Sequence, residues 1–206
     1  MSTAVTGTGT TVVLSEDAWL VVIDMQQVFT GESPWATPRY DHATAGIERL
    51  LPRFTGRTVF TRFVAPERPV GSWVPYYREW SFARRPAHDP IWDLTEPFAS
   101  AAADRRDPVV TAPRFGKWGT SLQEIVGSLP HLVLAGVSTD CCVLSTALAA
   151  ADAGATVTVV AEACAGASDE DHERALAAMR LYAPLITVVD SVADLSARTE
   201  PADPSA

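Results

Sequence analysis

Two runs in this chain carry no polar side chain at any position: Trp19-Leu20-Val21-Val22-Ile23 and Leu132-Val133-Leu134-Ala135-Gly136-Val137. A strand with one wet face alternates apolar and polar residues, so an unbroken apolar run needs cover on both faces. Arg57 to Phe63, Thr156 to Ala161 and Ile186 to Val189 read as further strands, and Val109-Val110 as a short one. Helical patterns fall between them. Asp41 to Phe54 places Ile47, Leu50 and Leu51 on one face, with Asp41 as its cap. Ser121-Leu122-Gln123-Glu124 has the form of a capping box opening another helix. Asp140 to Ala153 is a helix closed by Gly154, and Ser168 caps one running to about Tyr182. Strands alternating with helices predict an α/β fold, a three-layer sandwich with a mostly parallel sheet of about six strands and helices on both faces.

The length, 206 residues, suits one domain with a sizeable core. Small, polar residues at the two ends predict flexible tails over 1–12 and 196–206, leaving a domain at 13–195. The net charge is −9, and no basic stripe stands out against that balance, which argues against a nucleic-acid partner. No apolar run approaches the roughly 18–20 residues of a membrane span, and the first residues lack the basic and apolar parts of a signal peptide. Three cysteines, two of them adjacent, do not suggest a disulfide framework, so the expected compartment is a reducing cytoplasm. The stretch from Ala65 to Asp107, rich in proline and aromatic residues, reads as a long structured insertion, the usual place for a pocket wall.

The 132–137 run ends in Ser138-Thr139-Asp140-Cys141-Cys142-Val143, which puts a thiol in the first turn of a helix. Unpaired N–H groups and partial positive charge at a helix start favour a thiolate and can hold an oxyanion. Ligands of such sheets bind at the carboxyl ends of the strands. Asp24, at the end of the first run, and Cys142, just past the later one, can therefore meet at one rim as an acid–base group and a nucleophile.

These residues carry a resemblance. The strand ending in Asp24-Met25-Gln26, with Phe29 after it, and Gly136-Val137-Ser138-Thr139-Asp140-Cys141-Cys142-Val143, with Thr146, resemble the isochorismatase-like cysteine hydrolase superfamily, which includes nicotinamidases and N-carbamoylsarcosine amidase. The resemblance runs from about Trp19 to Val189. It implies a three-layer α/β fold, an Asp–Lys–Cys triad, a cis peptide before Ser138 and an oxyanion hole built from the backbone N–H groups of Ser138 and Cys142. The family pattern Thr-Asp-x-Cys-Val puts the nucleophile at Cys142 rather than Cys141.

The lysine departs from the pattern. Where the family has Lys two residues before an Arg-aromatic pair, this chain has Ala112 before Arg114-Phe115. Its single lysine is Lys117. Either Lys117 reaches the rim from a shifted loop and completes the triad, or it is a surface residue and Arg114 supplies the charge. Metal-dependent members of the superfamily carry an Asp and two His after the second strand, and the corresponding stretch here, Phe63 to Trp73, has neither. No metal and no cofactor are expected.

The remaining chemistry-bearing residues have plainer readings. Cys141 and Cys164 read as packing residues, Asp140 as a first-turn residue favoured by the helix dipole, and His42, His88, His131 and His172 as surface or capping residues. Trp73, Tyr76, Tyr77 and Trp80, with Trp35 and Trp118, are either core and dimer contacts or the lining of a pocket for a flat or apolar substrate. Candidate substrate contacts are Phe29, Trp35, Trp73, Tyr77, Arg114 and Trp118. The sequence thus predicts a metal-independent amidase acting on a small amide or ureido compound through a Cys142 thioester, as a homo-oligomer with no nucleic-acid or membrane partner. The alternatives are an isochorismate-type vinyl-ether hydrolase and a non-catalytic binding protein retaining the fold.

Overall fold

A computed structural model describes residues 11–197. Its main sheet has six parallel strands in the order β4-β3-β2-β5-β6-β7: β2 Trp19–Ile23, β3 Thr58–Phe63, β4 Val109–Ala112, β5 His131–Val137, β6 Thr156–Ala165 and β7 Ile186–Val189. Two short strands, β1 Val12–Leu14 and β8 Leu195–Ala197, form a separate parallel pair. In that pair Val12 lies opposite Leu195 and Leu14 opposite Ala197. The rest of the two expected tails lies outside the described residues.

The side chains explain the three layers. Leu20 and Val22 of β2 enter one core with Ala43, Ile47 and Leu50 of α1 (Tyr40–Leu50) and Phe98 of α3 (Phe98–Arg105). Val21 and Ile23, pointing the other way, enter a second core with α4 (Thr120–Val126), α5 (Leu144–Asp152) and α6 (Asp169–Arg180). Both faces of the strand are dry, as the unbroken apolar run required. Helix α2 (Trp73–Glu79) lies in the insertion.

Some local expectations are corrected. Asp41 sits inside the first turn of α1, whose cap position is Arg39. No capping box opens α4: extended Gly119 precedes it without a side-chain cap. Ser168 does cap α6, accepting from Asp171 N–H at 3.0 Å. Strand β6 runs on past Ala161 to Ala165, through Glu162, whose carboxylate pairs with Arg49 at 2.9 Å and accepts the Val192 N–H. Those partners come from distant segments, so the polar residue marked a false strand end.

Two contacts hold the site end of the sheet together. Gly136, with φ +122°, pairs with Ile23, and a Cβ there would fall 2.1 Å from the Ile23 carbonyl oxygen. Gln26, fully buried, donates Nε2–H to the carbonyls of Phe63 and Trp92 at 2.9 and 2.6 Å and accepts the Phe63 N–H at 2.7 Å. It fastens the insertion to the end of β3.

Candidate active site

Asp24 follows β2 with φ 51°, a left-handed conformation uncommon outside glycine. Thr61 of β3 holds it there, accepting the Asp24 N–H at 3.2 Å and donating its hydroxyl to Oδ1 at 2.6 Å. The other carboxylate oxygen, Oδ2, lies 2.8 Å from Lys117 Nζ, and both side chains are fully enclosed. Lys117 Nζ also donates to the Arg114 carbonyl at 2.7 Å and stands 5.3 Å from the centre of the Phe63 ring. Its backbone N–H donates to Thr146 Oγ1 at 2.9 Å, and that hydroxyl donates to the Cys142 carbonyl at 2.7 Å. One threonine thus pins the lysine loop to the turn bearing Cys142. The surface reading of Lys117 is ruled out, and the Arg114 side chain lies elsewhere, over the Trp73 ring at 5.2 Å.

Cys142 sits in a wide π-turn, Thr139–Val143, between β5 and α5, and is 3% exposed. The Val137–Ser138 peptide is cis, as the resemblance implied. Two ties fix this turn to α6 and the segment before it: Thr139 Oγ1 meets His172 Nδ1 at 2.8 Å, and Asp140 Oδ1 accepts the Ala167 N–H at 2.9 Å. The thiol is not lowered in pKa, contrary to the helix-terminus expectation. Burial pushes Cys142 well above its ordinary value and the facing Asp24 carboxylate adds to this, while Lys117 opposes both. Cys141, half-buried and donating to Asp140 Oδ2 at 3.5 Å, is pushed up to about 11, mainly by burial.

A cavity of about 370 Å³ opens over this group. Phe29, Trp35, Phe63, Tyr76, Trp80 and Phe115 line it, with Ser138, Asp140, Cys141 and Cys142. Of the substrate contacts expected from sequence, Phe29 and Trp35 are in this lining. Trp73, Tyr77, Arg114 and Trp118 are not. Tyr77 is 2% exposed in the core, Trp73 stacks on it at 5.9 Å, and Trp118 packs against the α5 side of the sheet. The aromatic stripe of α2 recurs at helical spacing, and packing turned Tyr76 and Trp80, rather than Trp73 and Tyr77, to the cavity. Thr61 escaped the sequence reading altogether; its only signal was a hydroxyl in the middle of a buried strand.

A larger depression of about 770 Å³, between α3 and the β3–β4 edge, contains none of Asp24, Lys117 or Cys142 and is a separate feature. Among the described residues, no group of three or more His, Cys, Asp or Glu side chains is placed to hold a metal ion. No helix among them is long and apolar enough to cross a membrane.

The isochorismatase domain family model matches residues 18–190. An isochorismatase domain-containing protein 2 from Xenopus laevis is 36% identical over 85 residues, 40% of this chain and 42% of that relative's length. Among solved structures, a nicotinamidase from Bacillus subtilis superposes with a TM-score of 0.68 at 19% identity, covering 84% of this chain and 99% of its own. An N-carbamoylsarcosine amidase from Thermoplasma acidophilum gives 0.67 at 23% identity, covering 85% and 96%. At these identities the two structures speak for the fold. The family model reaches from just before β2 to just past β7, so the whole main sheet and the groups at its rim fall within it, and the chain belongs to the isochorismatase family.

Proposed function

We propose that this protein is a metal-independent cysteine hydrolase that cleaves the C–N bond of a small amide or ureido compound. The observation that carries the reading is the enclosed Asp24–Lys117 pair, 2.8 Å apart, facing the Cys142 thiol beside an aromatic cavity. A buried ion pair is costly to assemble and poor evidence of stability for its own sake, so its position beside a nucleophile supports a chemical role.

In this reading Asp24 accepts the Sγ proton as sulfur bonds to the substrate carbonyl carbon. The oxyanion takes the backbone N–H groups of Ser138 and Cys142, both at the cavity. The tetrahedral intermediate collapses, the C–N bond breaks, and the proton held by Asp24 passes to the departing nitrogen. Water then gives a proton to Asp24 and adds to the thioester carbon. Collapse expels the Cys142 thiolate, Asp24 returns its proton, and the acid leaves. Lys117 keeps its charge throughout, offsetting the anion on sulfur and then on the carboxylate. A chain with a lysine out of its expected register invites a non-catalytic reading, but the short Asp24 contact supports catalysis. Vinyl-ether hydrolysis has no use for the thiol.

A panel of small amides assayed for ammonia release tests the proposal. Turnover that vanishes in Cys142→Ala, with an acyl adduct on Cys142 seen by mass spectrometry after rapid quenching, is the expected result. Turnover that persists in Cys142→Ala overturns the thioester mechanism.

A further inference from the structure

The cavity has an uneven chemistry. Trp35, Tyr76 and Trp80 stand with ring centres mutually 6.1–6.5 Å apart and planes tilted by 35–60°. Three non-parallel rings at such spacing form the kind of corner in which an ammonium group meets several π faces. Asp140 is the one charged side chain in the lining among the described residues. Its Oδ1 takes the Ala167 N–H and its Oδ2 faces Cys141, which leaves carboxylate lone pairs free. No arginine or lysine contributes to that lining: Lys117 is turned onto Asp24 and Arg114 lies over Trp73. A substrate carboxylate entering here loses its water, finds no cation and faces Asp140. A cationic nitrogen finds both the rings and the carboxylate, and the net charge of −9 favours its approach.

We propose that the cavity selects amides whose body, beyond the scissile carbonyl, carries an ammonium or quaternary ammonium group, and that it rejects those carrying a carboxylate. The proposal rests on the hydrolase reading for its kinetic readout; ligand affinity tests it without that reading. Asp140 and the Trp35–Tyr76–Trp80 corner are then the specificity-determining groups.

Three benzamides of matched size separate the terms: 4-(aminomethyl)benzamide, 4-ethylbenzamide and 4-carboxybenzamide. The wild-type protein should prefer the ammonium compound over its ethyl isostere by roughly 10-fold in kcat/KM, with the carboxylate compound last. Asp140→Asn, which keeps an acceptor for Ala167 N–H, should shrink the ammonium-to-ethyl ratio, and Trp80→Leu should shrink it independently. Calorimetric affinities of the Cys142→Ala protein should follow the same order. Equal or better use of the ethyl or carboxylate compound overturns the specificity while leaving the hydrolase reading intact. Binding in the expected order with no hydrolysis by wild type leaves the specificity standing and removes the hydrolase reading. Neither binding nor hydrolysis of the ammonium compound overturns the specificity outright.

Discussion

Lys117 and Asp24 meet at 2.8 Å with neither side chain exposed. Removing one partner of an enclosed pair strands the other charge, so Lys117→Met should destabilise the fold by about 3–5 kcal/mol. Lys117 is also the group that opposes the upward push on Cys142. Its loss should raise the pH at which Cys142 is alkylated and cut turnover by roughly 100-fold or more. Arg114→Met should leave the alkylation profile unchanged, because Arg114 offers the site only its backbone carbonyl. An upward shift in Arg114→Met with none in Lys117→Met would reverse the assignment.

The adjacent thiols should behave differently. Burial raises both thiols, but Cys142 faces the Asp24–Lys117 pair, whereas Cys141 donates to Asp140 Oδ2. Cys142→Ala should abolish turnover, while Cys141→Ala should keep most of it. Peptide mapping after iodoacetamide treatment during turnover conditions checks the register, and preferential labelling of Cys141 would show that it is wrong.

Two glycines with positive φ should respond unequally to alanine. At Gly56, with φ +76° and open space around it, the cost is backbone strain alone, about 1 kcal/mol. At Gly136 a methyl group would sit 2.1 Å from the Ile23 carbonyl oxygen, at the pairing that brings Asp24 and Ser138 to one rim. Gly136→Ala should cost more than about 4 kcal/mol or leave no soluble protein. Comparable denaturation midpoints for the two variants would contradict this.

Burial holds His131 and His172 below the ordinary imidazole value of 6.5. Both are depressed in the folded state, so the stability they contribute is present above about pH 6.5 and is lost as pH falls through their folded values. His131 accepts the Ser15 N–H on Nδ1 at 3.4 Å and meets Thr158 Oγ1 through Nε2 at 3.0 Å, an arrangement that needs the neutral ring. Thermal midpoints should therefore drop between about pH 7 and 5.5, and His131→Gln should make that drop shallower. An unchanged slope in the variant would count against the linkage.

Activity should survive dialysis against EDTA. The stretch after β3 offers neither His nor Asp, and no other trio of ligating side chains gathers among the described residues. Activity lost on chelation and restored only by added zinc would overturn metal independence.

The sequence by itself determined the strands of the main sheet and the rim at which chemistry gathers. Apolar runs covered on both faces are legible because every position along them obeys the same burial rule, and the motif from Gly136 to Val143 marks where one of them stops. It failed wherever a residue's fate depended on a partner from elsewhere in the chain. Glu162 looked like a strand end until Arg49 and Val192 supplied partners for its carboxylate. Lys117 was visible as the lone lysine, but only the loop pinned through Thr146 decides that its ammonium reaches Asp24. The helix-start argument for a lowered thiol pKa was local, and burial with a facing carboxylate outweighed it. The stripe Trp73, Tyr76, Tyr77 and Trp80 shares one helical face, and periodicity cannot say which edge of a face meets a cavity and which meets the core. Packing against Trp35, Phe115 and the sheet decided that, because close-packed aromatic rings admit few arrangements and each depends on neighbours distant in sequence.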